Sequence, residues 1–426
     1  MSGCDLRSDT LTKPTQAMLK AMFAAEVGDD AFAEDPTVRR LEEQTAALLG
    51  MEKALFVPSG TMANQIALAL HTRPGDSVIT EVGAHCVVFE AGASAALSGV
   101  QFDLIPRSEL LSDQAIDAAY RGDALHTSET TLLVVENTHN VGGGRVLDVV
   151  ATRRIAAKAR ALNLAVHCDG ARLWHAAAAL AVPERDLVAG FTTVAVCFSK
   201  GLGAPAGSAL CGPAPLIHRA RKLRKMFGGG MRQVGYLAAA GLYALEHHRG
   251  RLLQDHLQAA TLAKGLQALQ DQGVQLEVAY PEVGTNMVYL RFTQGASGAH
   301  VQELARRGVN VLGLDHDRYA TEAANAIARA YGSEYREARE QEFLATLHES
   351  WDVIIVDPPR TGAKTLTPDL ASCRASAIVY VSCDPATLAR DLRALTAGPW
   401  RVKRIIAVDM FPHVAHIETV CLLRHA

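Results

Sequence analysis

Lys200, in "CFSKGLGAPAG", follows a short apolar run and precedes a glycine-rich turn. A lysine amine drawn into a site can form a Schiff base once its pKa is depressed. On its own, a lysine at such a place is more often an exposed residue at a strand end. Three other segments change that reading. "VHCDGARLW" ends an apolar run on Asp169, the type of carboxylate that pairs with a pyridinium nitrogen and keeps pyridoxal phosphate an electron sink. "VPSGTMANQ" passes through Ser59, Gly60 and Thr61 into a helix start, where backbone N–H groups and hydroxyls can hold a phosphate. "EVGAHCVVFEAG" offers His85, able to stack on a cofactor ring or move a proton. Taken singly, His85 reads as a core histidine and residues 59–61 as an ordinary turn. Their order is the stronger signal: cradle, histidine, aspartate, then lysine about thirty residues later.

A second set lies near the C-terminus. "IIVDPPRTG" ends a buried run on Asp357, before two prolines that stop any helix. "VYVSCDPATLARDL" places Cys383 just past another run and ahead of a helix, where a lone cysteine is more often packing than nucleophile. "MFPHVAHIETVCLL" sets Glu418 at the start of a terminal apolar strand.

The elements that must position these residues are legible in outline. From about residue 37 to 250, helical patterns alternate with short apolar runs such as "KALFV", "TTLLVVE", "NLAVHCDG" and "TTVAVCF". That alternation predicts a mostly parallel sheet with helices on both faces, its ligands beyond the carboxyl ends of the strands. Residues 251–270 read as a long helix, "TNMVYLRF" as a strand and "GAHVQELARRG" as a helix, the start of a second, smaller α/β domain. "GVNVLGLDHDRYATEAANAIA" then reads as strand and helix, with a charged helix to about 340 and strands at "WDVIIVDPP", "AIVYVSC" and "ETVCLLRH". The 426 residues suffice for two or three domains, and 49% apolar with 20% charged residues is a globular composition. No apolar run reaches the roughly 18 residues of a membrane span, and no secretory leader pattern is present. A net charge of −3 gives no global footprint for nucleic acid. Eight scattered cysteines without a CxxC suit a reducing cytoplasm.

Residues 1 to about 316 resemble the low-specificity L-threonine aldolases through "DLRSDTLTKPTQAMLKAM", "GDDAFAEDPTVRRLE", "PSGTMANQIAL", "AHCVVFEAG", "ENTHN", "HCDGARLW", "SKGLGAPAG" and "RKMFGGGMRQVGYLAAAG". The resemblance implies the aspartate-aminotransferase-like fold (fold type I) and dependence on pyridoxal 5'-phosphate. It makes Lys200 the Schiff-base residue and Asp169 the partner of the pyridine nitrogen. It gives Gly60 and Thr61 to the phosphate, with Arg232 supplied by a neighbouring subunit of a homo-oligomer, commonly a tetramer, or a dimer. Ser8 and Arg172 would bind the substrate carboxylate, His85 would stack on the ring, and His126 would lie near the substrate hydroxyl. The implied reaction is cleavage of L-threonine or L-allo-threonine to glycine and an aldehyde. Phe32 and Ala33 stand where many members of that family carry Tyr and Gly. The arginine-bearing strand that follows "GVNVLGLD" in the family has no counterpart here, so the small domain is incomplete.

Residues from about 311 to 426 resemble the C-terminal end of RNA uracil-5-methyltransferases that use S-adenosyl-L-methionine. There Cys383 would attack uridine C6, Glu418 would remove the C5 proton, Asp357 would lie at the cofactor and base, and Asp315 would hold the cofactor's ribose. The family's glycine-rich first strand and its RNA-binding domain have no counterpart in the sequence. The expected organisation is α/β throughout: a large aldolase domain over 1–250, a partial small domain over 251–316, and a partial Rossmann-like methyltransferase sheet over 317–426. A join near Asp315–Tyr319 satisfies both patterns. The competing readings are an aldolase with a replaced C-terminal cap, an RNA methyltransferase with an aldolase-like front, and a non-catalytic chimeric remnant.

Overall fold

The computed structural model describes residues 4–109, 111–293, 301, 304–307, 309–311, 350–356, 363, 367–382, 385–408 and 418–425. The chain divides into two compact units, Met1–Gly313 and Leu314–Ala426.

In the first unit, strand β1 (Cys4–Asp5) is followed by β2 (Lys53–Val57), β3 (Ser77–Glu81), β4 (Gln101–Ile105), β5 (Thr130–Glu136), β6 (Ala165–Gly170), β7 (Thr193–Cys197) and β8 (Ser208–Gly212). Seven of these form one sheet in the order β2-β8-β7-β6-β5-β3-β4. The expected parallel sheet is present with one exception: β8 runs antiparallel to both β7 and β2. The reversal comes from the glycine-rich turn after Lys200. Gly207 has φ +107°, and a Cβ there would fall 2.6 Å from the Phe56 ring, so only glycine lets the chain double back against β2.

Helices form where the chain caps them. Ser59 accepts from Met62 N–H at 3.2 Å and starts the helix Gly60–His71. Asp35 accepts from the N–H groups of Thr37 and Val38 ahead of Pro36 and starts Pro36–Leu49, which Gly50 ends at φ 64°. Both faces of the sheet are buried. Leu133, Val135, Val166, Val194 and Val196 pack on one side; Leu55, Val57, Leu132, Val134 and Ala195 pack on the other.

Beyond the helix Leu252–Asp271, β9 (Leu276–Ala279) and β10 (Tyr289–Phe292) form an antiparallel pair. β11 (Val309–Asn310) lies parallel to β1, tying the start of the chain to the end of this unit.

The second unit is a four-stranded sheet. Its strands are β12 (Ser350–Val356), β13 (Arg374–Ser382), β14 (Trp400–Val408) and β15 (Glu418–His425), in the order β12-β13-β15-β14. β12 and β13 are parallel, and β15 is antiparallel to both of its neighbours. Helices Thr367–Ser372 and Pro385–Thr396 supply Leu370, Leu388 and Leu395 to a core with Ile354, Ile378, Tyr380, Trp400 and Leu423. The expected strands "WDVIIVDPP", "AIVYVSC" and "ETVCLLRH" coincide with β12, β13 and β15 over their described residues; residues 357–359, 383 and the expected charged helix to about 340 lie outside the described residues. Among the described residues, no helix is long and apolar enough to cross a membrane.

Candidate active site

Strand order places the ends of β6 and β7 side by side, with the N-terminus of Gly60–His71 facing them across a cavity of about 350 Å³. Gly60, Thr61, Asn64, His85, Asp169 and Lys200 are among its lining residues. Lys200 stands half-buried in the turn that leaves β7.

Asp169 is buried at the end of β6. Its Oδ1 accepts from Ala171 N–H at 3.1 Å, and its Oδ2 accepts from Asn64 Nδ2 at 2.7 Å. Burial opposes its charge, but the positive charges of His85 and Lys200 and the Asn64 donor outweigh it, so the carboxyl titrates below its ordinary value. His85 donates its backbone N–H to Glu136 Oε2 at 2.8 Å, and its Nδ1 lies 2.9 Å from Glu90 Oε1. Burial pulls the imidazole's pKa down; the Glu90 hydrogen bond and the charge of Asp169 more than offset it, so the pKa is raised. Glu136 also accepts from Asn140 N–H at 2.7 Å. Burial first and the nearby Asp169 charge second push Glu136 up to about 7.

The floor at Gly60 is tight: a Cβ there would lie 2.8 Å from Cys197 Sγ. The donor set suits a phosphorylated aldehyde with a ring nitrogen. It offers an amine, a helix start with its first N–H groups free of intrahelical partners, and a buried carboxylate at the base. Pyridoxal phosphate is such a group, and these residues fit it.

Ser8, Arg172, His126 and Arg232 lie outside the lining. Arg172 is buried, its Nε and Nη2 donating to Asp9 at 2.9 and 2.6 Å and its Nη1 to Asn140 Oδ1 at 3.3 Å. Asn286 Nδ2 adds a further bond to Asp9 at 3.0 Å. Burial would raise the Asp9 carboxyl, but the Arg172 guanidinium more than reverses this and holds it well below the carboxylate range. Ser8 caps the short turn Asp9–Leu11, accepting from Thr10 N–H. His126 is exposed on the turn closed by the Ala124–Thr127 bridge. Arg232 is also exposed, with Nη1 3.1 Å from Asp29. Asp315, Asp357 and Cys383 lie outside the described residues, and Glu418 opens β15 with only its backbone described.

Asn64, Glu90, Glu136, His167, Asp9 and Asn140 escaped the sequence reading. The available signal was the adjacent amides of Asn64 and Gln65 inside the apolar run "TMANQIALAL"; both are buried.

Comparison with known proteins sets the class. Residues 5–293 match the beta-eliminating lyase family, and residues 317–426 match the tRNA (uracil-5-)-methyltransferase family. Low-specificity L-threonine aldolase 1 of Arabidopsis thaliana is 44% identical over 302 residues, spanning 70% of this chain and 83% of the relative. The low specificity L-threonine aldolase of Escherichia coli (strain K12) is 40% identical over 308 residues, 72% of this chain and 89% of the relative. The solved Leishmania major threonine aldolase shares the fold, with a TM-score of 0.57 at 22% identity over 66% of this chain and 82% of that one. The chain belongs to the low-specificity L-threonine aldolase family.

Proposed function

We propose that the chain cleaves L-threonine, L-allo-threonine and related β-hydroxy amino acids to glycine and an aldehyde, with pyridoxal phosphate bound through Lys200. The observation that carries this is that buried Asp169, at the end of β6, and Lys200, just after the adjacent β7, line one cavity with the start of helix Gly60–His71. When bound, the cofactor supplies an electron sink for cleavage of the Cα–Cβ bond.

The protein's own groups have the following parts. Lys200 tethers the cofactor, Asp169 sets a negative charge opposite its ring nitrogen, and Gly60 and Thr61 present N–H groups to its phosphate. His85, fixed through Nδ1 by Glu90, packs on the ring and keeps Nε2 open to hold or move a proton. The β-hydroxyl proton must leave as the bond breaks, and general-base help of this kind is worth about 10²–10⁴-fold. His126, on its exposed turn, joins at the substrate hydroxyl in the assembled protein. Arg172 receives the substrate carboxylate with the N–H groups that Asp9 and Asn140 leave open, and Ser8 stands on the same turn as Asp9. Arg232 reaches the phosphate of a neighbouring subunit in a homo-oligomer, a tetramer or dimer, for which Phe23 at 90% and Phe32 at 72% exposure supply apolar surface. Domain limits of 1–250, 251–316 and 317–426 go with this reading. Unpaired, buried cysteines such as Cys86, Cys168 and Cys197 go with a cytoplasmic site of action.

The test is acetaldehyde release from L-threonine by the full chain with added pyridoxal phosphate, beside Lys200→Ala. Activity should fall to background in the variant, and borohydride should fix the cofactor's mass on the Lys200 peptide of the parent. An unlabelled Lys200, or equal turnover in both proteins, would sink the proposal.

The match over residues 317–426 favours a second reading, S-adenosylmethionine-dependent methylation of uracil in RNA, with Cys383 as nucleophile, Glu418 as base, and Asp315 and Asp357 at the cofactor. The sequence ahead of Leu314 belongs to the aldolase unit, so the glycine-rich strand that would cradle this cofactor is missing from its place. We therefore read the second unit as a remnant without methyl transfer. A Cys383 adduct with 5-fluorouridine-containing RNA in the presence of S-adenosylmethionine would reverse that reading; the expected result is none.

A further inference from the structure

Behind Asp169 lies a row of polar side chains that the proposed reaction does not use. Thr193 Oγ1 is 3.0 Å from His71 Nε2 and 3.0 Å from His167 Nδ1. His167 Nε2 is 3.0 Å from Asn64 Oδ1. Asn64 Nδ2 donates to Asp169 Oδ2 at 2.7 Å and to Glu90 Oε1 at 2.8 Å. All of these residues are buried except His71, which is half-buried.

Counting hydrogens fixes the direction of every bond. The two groups beside Asn64 Nδ2 are carboxylates, which only accept, so the amide nitrogen must face them. The amide oxygen then faces His167 Nε2 and needs a proton from it, which places the imidazole's hydrogen on Nε2. Nδ1 keeps a lone pair, and the single hydrogen of the Thr193 hydroxyl fills it. The hydroxyl oxygen accepts in turn from His71 Nε2–H. Burial pushes His167 down to about 3, so the ring stays neutral near pH 7. Turning the amide over would set its oxygen against two carboxylates and leave buried groups unpaired, an arrangement that buried networks avoid.

We infer that His167 and Thr193 are positioning residues for Asp169: they lock the Asn64 amide so that it donates to Oδ2, leaving the carboxylate's other lone pairs aimed at a ring nitrogen. This rests on the proposed pairing of Asp169 with pyridoxal phosphate. A residue two positions before Asp169 in β6 and another in β7 thereby act on the site through a side chain of the facing helix.

Two measurements on the full chain test this. In protein labelled with ¹⁵N at histidine, and with the His167 signal assigned by its loss in His167→Gln, the ring should hold the Nε2–H form alone from pH 6 to 8. An Nδ1–H population or a protonated ring would overturn the inference directly. The second measurement is the dissociation constant for pyridoxal phosphate in a double-mutant cycle. Thr193→Val should weaken binding about tenfold, equivalent to about 1.4 kcal/mol, while Thr193→Ser stays within about twofold because it keeps the hydroxyl. In an Asp169→Asn background the same Thr193→Val change should matter less than twofold, because its target carboxylate is gone. No effect of Thr193→Val in the native background, or an equal loss in both backgrounds, overturns the inference, the latter marking packing damage. Asp169→Asn binding as tightly as the parent would instead refute the placement of Asp169, and the ¹⁵N result would still decide the arrangement of the row.

Discussion

In β5, Leu132 and Val134 join one core while Leu133 and Val135 join another on the opposite face. In β12, Ile354 and Val356 are buried, but Val353 and Ile355 are 48% and 69% exposed. The two strands are nearly equally apolar in sequence. A run of this kind belongs in a sheet covered on both sides, and in the first unit β5 lies between the helices Asp113–Ala119 and Val149–Ala161, with side chains buried on both faces. Among its described residues, the second unit covers one face. The polar interiors differ as well. The first unit encloses a network of imidazoles, amides and carboxylates around its cavity. The buried polar cluster described in the second unit is small, with Asp391 accepting from Tyr380 and from the Ala363 N–H. Apolar strands are therefore common to both units, while the interior polar network marks the one built around a ligand.

The largest predicted effect uses that contrast through pH. In the first unit, burial lowers His71 and His139 to about 4 and His167 and His175 to about 3. A folded-state pKa below the unfolded value of about 6.5 means stability that is present above pH 6.5 and lost as pH falls below it. Glu42 and Glu136, raised to about 7, act oppositely: their penalty is relieved as pH falls through 7 toward the unfolded value near 4.5. Burial also lowers His256 and raises Glu81 and Asp255, so five lowered imidazoles stand against four raised carboxyls and the unfolded state binds more protons below pH 6.5. The first unit should therefore lose stability as pH falls across that window. The described imidazole of the second unit, His425, is exposed rather than buried. Hydrogen exchange, corrected for intrinsic rate, should show β5–β7 losing protection between pH 6.5 and 4.5 well before β13 and β15. Parallel loss in both units would refute the contrast.

The sequence made the first unit's strands and the line from Gly60 to Lys200 readable because each signal is local: an apolar run, a capping serine, a glycine turn. β8 was missed because a five-residue run after a turn carries no mark of its direction; that is set by the fit of Gly207 against Phe56. The residues that hold Asp169 were missed for another reason. Asn64 and Asp169 are separated by 105 positions and Arg172 and Asp9 by 163, and a polar residue within an apolar pattern looks alike whether its partner is water or a distant side chain. The proposed roles of His126 and Arg232 came from family resemblance alone, and both residues stand on exposed surface outside the cavity.

The smallest predicted effect sharpens the comparison from the second unit's side. Asp391 Oδ2 accepts from Tyr380 Oη at 2.6 Å and from Ala363 N–H at 2.7 Å, and Trp400 Nε1 nearby donates to Leu370 O at 3.1 Å. Burial, with the Asp391 hydrogen bond adding to it, pushes the Tyr380 phenol upward, so it remains a donor at any ordinary pH. Asp391→Ala strands the buried Tyr380 hydroxyl donor and leaves Ala363 N–H only the Tyr380 oxygen at 3.2 Å, and a loss of about 1–3 kcal/mol is expected, the usual cost of an unmade buried hydrogen bond. Adding Tyr380→Phe should not recover that loss, because it removes the acceptor left to the Ala363 N–H. The measurement is the urea midpoint followed by hydrogen exchange of β13 and β15, with the first unit's strands as the internal reference. If Asp391→Ala leaves the urea midpoint unchanged, or if the added Tyr380→Phe restores it, this hydrogen-bond account of Asp391 is wrong. If the first unit's strands lose protection to the same extent, the two units do not unfold separately.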